Sequence, residues 1–173
     1  MSVLGRALAC SVLLGLAACK STPEPVEAPG DGFLGALTLP ALGPQRGAAA
    51  DLNGRVVLVN FMATWCFPCV AELPTLEALQ RDYGPQGLQV VAVGMDLEGA
   101  QVLGPFAEHY QLRYPVLVAD EHIITGQSPF GPIIALPTSF ILDRQGRAVA
   151  AWQGVAGHED LAKAIEKALK QSR

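Results

Sequence analysis

The chain has 173 residues, enough for one domain with a buried core plus some tail. Its formal net charge is −4 without a basic stripe, which argues against a nucleic-acid partner. No apolar run reaches the roughly 18–20 residues that a bilayer-spanning helix needs. The chain opens on Met1 to Arg6, with one positive charge, and continues through an uncharged, mainly apolar stretch from Ala7 to Ala18. A charged start before about 7–15 apolar residues reads as a secretory signal. An uncleaved anchor or a core helix is the alternative.

The run Leu16-Ala17-Ala18-Cys19 resembles the bacterial lipobox, in which small residues precede a cysteine that becomes lipidated and N-terminal. Cys10 also follows small residues, but too little apolar sequence precedes it. Residues 1–18 are therefore expected to be a lipoprotein signal peptide, with lipid on Cys19. Residues 19–32 are expected to be a lipid anchor and tether, because Lys20 to Gly32 holds Pro23, Pro25 and Pro29 with acidic residues and little apolar sequence. Such a tether reaches on the order of 30 to 45 Å. The expected location is the bacterial cell envelope, lipid-anchored and facing the periplasm. Lys20 is not the aspartate of the enteric inner-membrane sorting rule, which leaves the choice between inner and outer membrane open.

From Phe33 to residue 173 the pattern is that of one folded domain. Ala36 to Pro40 is a short strand candidate, and Asn53-Gly54 marks a turn. Val56 to Phe61 is a continuous β-branched run that predicts a buried strand. A helix is predicted from about Cys66 to Tyr83, with Val70, Leu73, Leu76 and Leu79 at near-helical spacing. Leu88 to Val93 predicts a second buried strand. Gln101 to Gln111 predicts a helix whose first turn is disturbed by Gly104 and Pro105, and Tyr114 to Ala119 a third strand. Residues 120–136 suggest a short helix and then a loop rich in Gly and Pro. Thr138 to Leu142 and Ala148 to Trp152 flank a hairpin turn at Asp143 to Gly146. A closing amphipathic helix sets Leu161, Ala164, Ile165, Ala168 and Leu169 against Lys163, Glu166, Lys167 and Lys170. The fold class is α/β, a central mixed β-sheet flanked by helices on both faces, with an N-terminal β extension.

The chemistry concentrates at Thr64-Trp65-Cys66-Phe67-Pro68-Cys69, between a buried strand and the start of a helix. The free N–H groups and dipole of a helix N-terminus favour an anion, hence a thiolate at Cys66, and the thiolate is the attacking form. Pro68 suits a first helical turn, where a missing N–H is no loss. Two intervening residues let the second sulfur reach the first and release a bound substrate. A zinc site would need two further ligands, and His109, His122 and His158 are scattered; no metal and no cofactor are expected. An inert structural disulfide is the remaining alternative.

Residues 57–74, VLVNFMATWCFPCVAELP, resemble the TlpA/ResA-like branch of the thioredoxin superfamily. The resemblance resumes at residues 136–146, LPTSFILDRQG, and covers nearly everything from Phe33 onward. It implies a thioredoxin fold, with Cys66 as the attacking cysteine, Cys69 as the resolving one, and a redox disulfide between them. Pro74 then corresponds to the proline inside the active-site helix, and Pro137 to a cis-proline facing the disulfide. Glu72 corresponds to the acidic residue three positions after the second cysteine, and is expected to assist proton transfer. Its alternative is a solvated carboxylate on the helix face. Asn60 stands where thioredoxin has a buried aspartate, and Met62 where most relatives carry tryptophan.

The expected activity is that of a thiol–disulfide oxidoreductase, a reductase of disulfides in exported cysteine-containing clients such as apocytochrome c or copper-site proteins. A membrane thiol electron donor would supply it. Trp65, Phe67, Leu136 and Pro137 are expected to receive the client's cysteine segment. Two other classes compete. A peroxiredoxin would need threonine three residues before its cysteine, where Ala63 stands, with Thr64 one position off. A non-catalytic thioredoxin-like binding module would not need the intact WCFPC motif.

Overall fold

The computed structural model describes residues 32–47 and 51–171. The expected signal, Cys19 and the tether up to residue 31 lie outside the described residues. In chain order the elements are α1 (Gly32–Gly35), β1 (Ala41–Leu42), β2 (Val56–Met62), α2 (Phe67–Tyr83), β3 (Leu88–Gly94), α3 (Ala100–His109) and β4 (Val116–Val118). They continue with α4 (Glu121–Ile124), β5 (Thr138–Leu142), β6 (Ala148–Gln153) and α5 (His158–Gln171). The strands form one six-stranded sheet in the order β1-β4-β3-β2-β5-β6. The central strand β2 pairs parallel with β3 and antiparallel with β5, so the sheet is mixed.

Every residue of β2 and β3 is buried, as expected for strands covered on both faces. Because side chains alternate, Val56, Leu58 and Met62 of β2 face one layer and Val57, Val59 and Phe61 the other. The first layer is built from three helices. Leu73, Leu76 and Leu79 of α2, Leu103 and Ala107 of α3, and Leu161, Ile165 and Ala168 of α5 close over it. Among the described residues the second layer is covered by the one-turn helices α1 and α4 and the irregular segment after α4. Aromatic rings fill it: Phe130 meets Phe33 and Phe61 edge-on at 5.0 Å each, and Phe140 at 5.1 Å. Edge-to-face packing is the arrangement that ring quadrupoles prefer.

The N-terminal β extension is displaced from its expected place. Ala36 to Pro40 is not a strand; α1 precedes it, and the strand is the two-residue β1, antiparallel to β4. The reason is burial of single side chains rather than alternation: Phe33 and Leu37 both turn into the aromatic layer. Their spacing of four fits a helical turn, and the Ala36 N–H donates to the Gly32 carbonyl at 3.0 Å. The third predicted strand is shorter than expected because Pro115 cannot donate to the ladder, although its carbonyl still accepts from the Ala92 N–H at 3.0 Å. Helix α3 starts at Ala100, one residue before the expected place, and runs through Gly104 and Pro105 to His109. Among the described residues no helix is long and apolar enough to cross a membrane.

Gly94, the last residue of β3, shows how tightly α3 is laid on the sheet. A Cβ there would stand inside the space taken by the Leu103 side chain, which is wholly buried. Gly94→Ala should therefore destabilise the domain by about 1–3 kcal/mol, the usual range for overpacking, measured by urea unfolding.

Candidate functional site: a dithiol pair at a helix N-terminus

Strand β2 ends at Met62, and after three intervening residues the chain reaches Cys66 and turns into α2. Cys66 is the N-cap of that helix, with extended backbone (φ −83°, ψ 97°), and Pro68 lies in the first turn. The Cys69 N–H donates to Cys66 Sγ at 3.2 Å. An orphan donor of the helix terminus is thus aimed at the sulfur that would carry the charge. Cys66 and Cys69 are joined as a disulfide, with Cα atoms 5.3 Å apart. Cys66 is 5% exposed and Cys69 1%, so the first sulfur is the more accessible of two shielded ones.

The turn before Cys66 is held from β3. Asp96, buried two residues beyond the end of that strand, accepts the Thr64 N–H with both carboxylate oxygens at 3.1 Å, and the Thr64 hydroxyl as well. The Met95 N–H donates to the Met62 carbonyl at 2.8 Å alongside. Sequence reasoning missed Asp96. Its one signal was an acidic residue two positions after a buried parallel strand, where side chains come to the carboxyl end of the sheet.

A groove of about 470 Å³ opens at the disulfide, lined by Trp65, Cys66, Phe67 and Pro68 on one side and Ile133, Ile134, Ala135 and Leu136 on the other. Trp65, Phe67 and Ile134 are 72%, 82% and 76% exposed, an unusual display for residues of their size. Trp65, Phe67 and Leu136 are thus brought together; Ile133 and Ile134 were not foreseen, because the breaker-rich stretch before Pro137 carried no periodicity. The Leu136–Pro137 peptide bond is cis. Pro137 does not line the groove itself, and its carbonyl accepts the Gly154 N–H at 2.7 Å.

Glu72 lies one turn past Cys69 and is only 2% exposed, so the solvated-face alternative does not hold. Its Oε2 accepts from Asn60 Nδ2 at 3.0 Å and its Oε1 from the Ala156 N–H at 2.9 Å. Asn60 Nδ2 also donates to Ser139 Oγ at 2.9 Å. Burial pushes the Glu72 carboxyl above its ordinary value, and the Ala156 and Asn60 donors partly oppose that shift. The carboxyl, on the same helix as Cys69, is therefore buried, held by two donors and harder to ionise than an exposed glutamate.

Comparison with known proteins agrees with this geometry. The sequence pattern of the AhpC/TSA family matches residues 35–151. Over 117 residues the chain is 34% identical to a protein of Bacillus cereus named thiol-disulfide oxidoreductase ResA; the match covers 68% of this chain and 65% of that protein's length. Among solved structures it is similar to a putative thiol:disulfide interchange protein DsbE from Chlorobium tepidum, with a TM-score of 0.56, 32% identity, and coverage of 69% of this chain and 84% of the other. It is also similar to a DsbF homologue from Corynebacterium diphtheriae, with a TM-score of 0.60, 26% identity, and coverage of 68% and 74% respectively. The fold is the thioredoxin fold, and the chain belongs to the AhpC/TSA family.

Proposed function

We propose that the protein is a thiol–disulfide oxidoreductase that works as a membrane-tethered reductase of disulfides in exported proteins. The observation that carries this reading is the Cys66–Cys69 pair at the helix N-cap, with a backbone N–H on Cys66 Sγ and an apolar groove beside it. Similarity to proteins named for thiol–disulfide exchange supports it. Cys66 thiolate attacks the client disulfide, and Cys69 then displaces the client from Cys66, with Glu72 as the acceptor of the Cys69 proton. Trp65, Phe67, Ile134 and Leu136 hold the client's cysteine segment. Lipid on Cys19 holds the domain at the envelope membrane within reach of a membrane thiol donor, and apocytochrome c or copper-site proteins are the client type.

The direction follows from what supports the Cys66 anion. Phe67 and Pro68 bring neither charge nor a side-chain donor between the cysteines, so only the helix terminus favours the thiolate. The potential should lie nearer that of thioredoxin, about −270 mV, than the strong-oxidant end near −120 mV. Acid quenching of cells followed by thiol alkylation should find the pair mainly reduced. A mainly oxidised pair with a potential above about −180 mV would sink the reductase direction. A peroxiredoxin-type activity is the weaker reading despite the family name. Ala63 stands three residues before Cys66, and the Thr64 hydroxyl is spent on Asp96. Peroxide consumption and insulin reduction, measured on one preparation, separate that reading, and a purely binding module, from the reductase.

A further inference from the structure

We infer that Asn60 is a positioning residue for the thiol chemistry: its amide fixes Glu72 in the orientation from which that carboxylate takes the Cys69 proton, and Ser139 fixes the amide in turn. The inference rests on the proposed role of Glu72 and adds to it the group that makes the role possible.

Asn60 and Ser139 are direct partners across the antiparallel β2–β5 ladder, and both are buried. An amide nitrogen carries two N–H donors, and here each has an acceptor: Glu72 Oε2 and Ser139 Oγ. The flip of the amide is thereby decided, because the reversed amide would set its carbonyl oxygen against the carboxylate. With Ala156 on Oε1 and Asn60 on Oε2, the carboxylate plane is pinned from two directions. Each oxygen still keeps a lone pair for a proton.

Asparagine also does what aspartate could not. A second carboxylate about 3 Å from Glu72 would compete for the same proton. Among the described residues, the helix of Glu72 also carries Cys69, with Cys66 as its cap, and Tyr114, ahead of β4, is buried and interacts electrostatically with Glu72. Strands β2 and β5 present the neutral Asn60 and Ser139, and the loop leading into α5 presents the Ala156 N–H.

In the step concerned, a client sulfur is already bonded to Cys66. Cys69 gives its proton to Glu72, its thiolate attacks Cys66 Sγ, and the bond between Cys66 and the client breaks. The client thiolate leaves with that electron pair and is protonated by Glu72. The protein dithiol ends oxidised and the client disulfide reduced.

The test is single-turnover reduction of a disulfide peptide by the reduced full-length protein across pH 5–9. Asn60→Leu removes the donor at nearly constant volume, so the acid limb of the profile should move up by about one pH unit while the alkaline plateau stays. Asn60→Asp should move it further the same way, and Ser139→Ala less far. A lowered plateau with an unmoved limb would mark Asn60 as merely structural and overturn the inference. An unmoved limb in Asn60→Leu, with a displaced one in Glu72→Gln, would overturn it and leave Glu72's role standing. An unmoved limb in Glu72→Gln would overturn both. Should Asn60→Leu fail to fold, a wild-type limb in Ser139→Ala would overturn the inference.

Discussion

Cys66→Ser should abolish disulfide reduction, while Cys69→Ala should leave the first attack intact and stop the reaction at a mixed disulfide. The two outcomes differ because the sulfurs are placed differently. Cys66 caps α2, takes a backbone N–H and touches the groove, whereas Cys69 sits beneath it at 1% exposure. A client sulfur is expected to meet the first and not the second. Serine at position 66 leaves no thiolate at the point of contact, so turnover should fall to the uncatalysed level in an insulin-reduction assay. Alanine at position 69 removes the displacing thiol, so covalent adducts through Cys66 should accumulate and be identifiable by mass spectrometry. Adducts through Cys69 in the Cys66→Ser protein, at a comparable rate, would reverse the assignment.

Glu72→Gln should slow release of the client by about 10²- to 10⁴-fold at neutral pH, the range that a positioned general base contributes. Attack by Cys66, which needs no proton from this carboxyl, should change little, so the loss falls on the second step. Stability should move the other way. The Glu72 carboxyl is raised above its ordinary value of 4.5 in the folded protein, chiefly by burial. Below that value both folded and unfolded states are protonated. As pH rises the unfolded state loses its proton first, and stability falls until the folded carboxyl also ionises. The glutamine variant should lose that decline, even though it can keep only one of the two hydrogen bonds made by the carboxylate. Urea unfolding at pH 4 and pH 8 reads the difference.

The dithiol was legible because its chemistry is local: two cysteines, a proline and a strand–helix junction lie within a few residues. The buried strands were legible from their continuous β-branched runs, and α5 from its amphipathic period. What escaped has a common physical form. Asn60 looked like a loss, a residue unable to titrate; only its pairing with Ser139 and Glu72 reveals a donor. Asp96 reaches Thr64 from the end of the neighbouring parallel strand, and no spacing in the chain announces that contact. α1 was missed because four residues carry no period, and its place is fixed by one ring, Phe33, packing on Phe130 and Phe140.

The bonds around Glu72 also set an order of assembly. Helix α2 and its cap close over three residues, but Asn60 meets Ser139 across 79 positions and Glu72 meets Ala156 across 84. Contacts of such separation form late, because loop closure must precede them. A chain folded only through β3 therefore already holds two cysteines on a helix start, ready to exchange with any sulfur they meet. Glu72 can then already take its bond from Asn60, twelve positions earlier, but its second donor, the Ala156 N–H, is not yet in place. Docking of β5, β6 and the start of α5 then brings Ser139 onto the Asn60 amide and the Ala156 N–H onto Glu72, so the last part of the domain to arrive completes the set of bonds that holds that carboxyl.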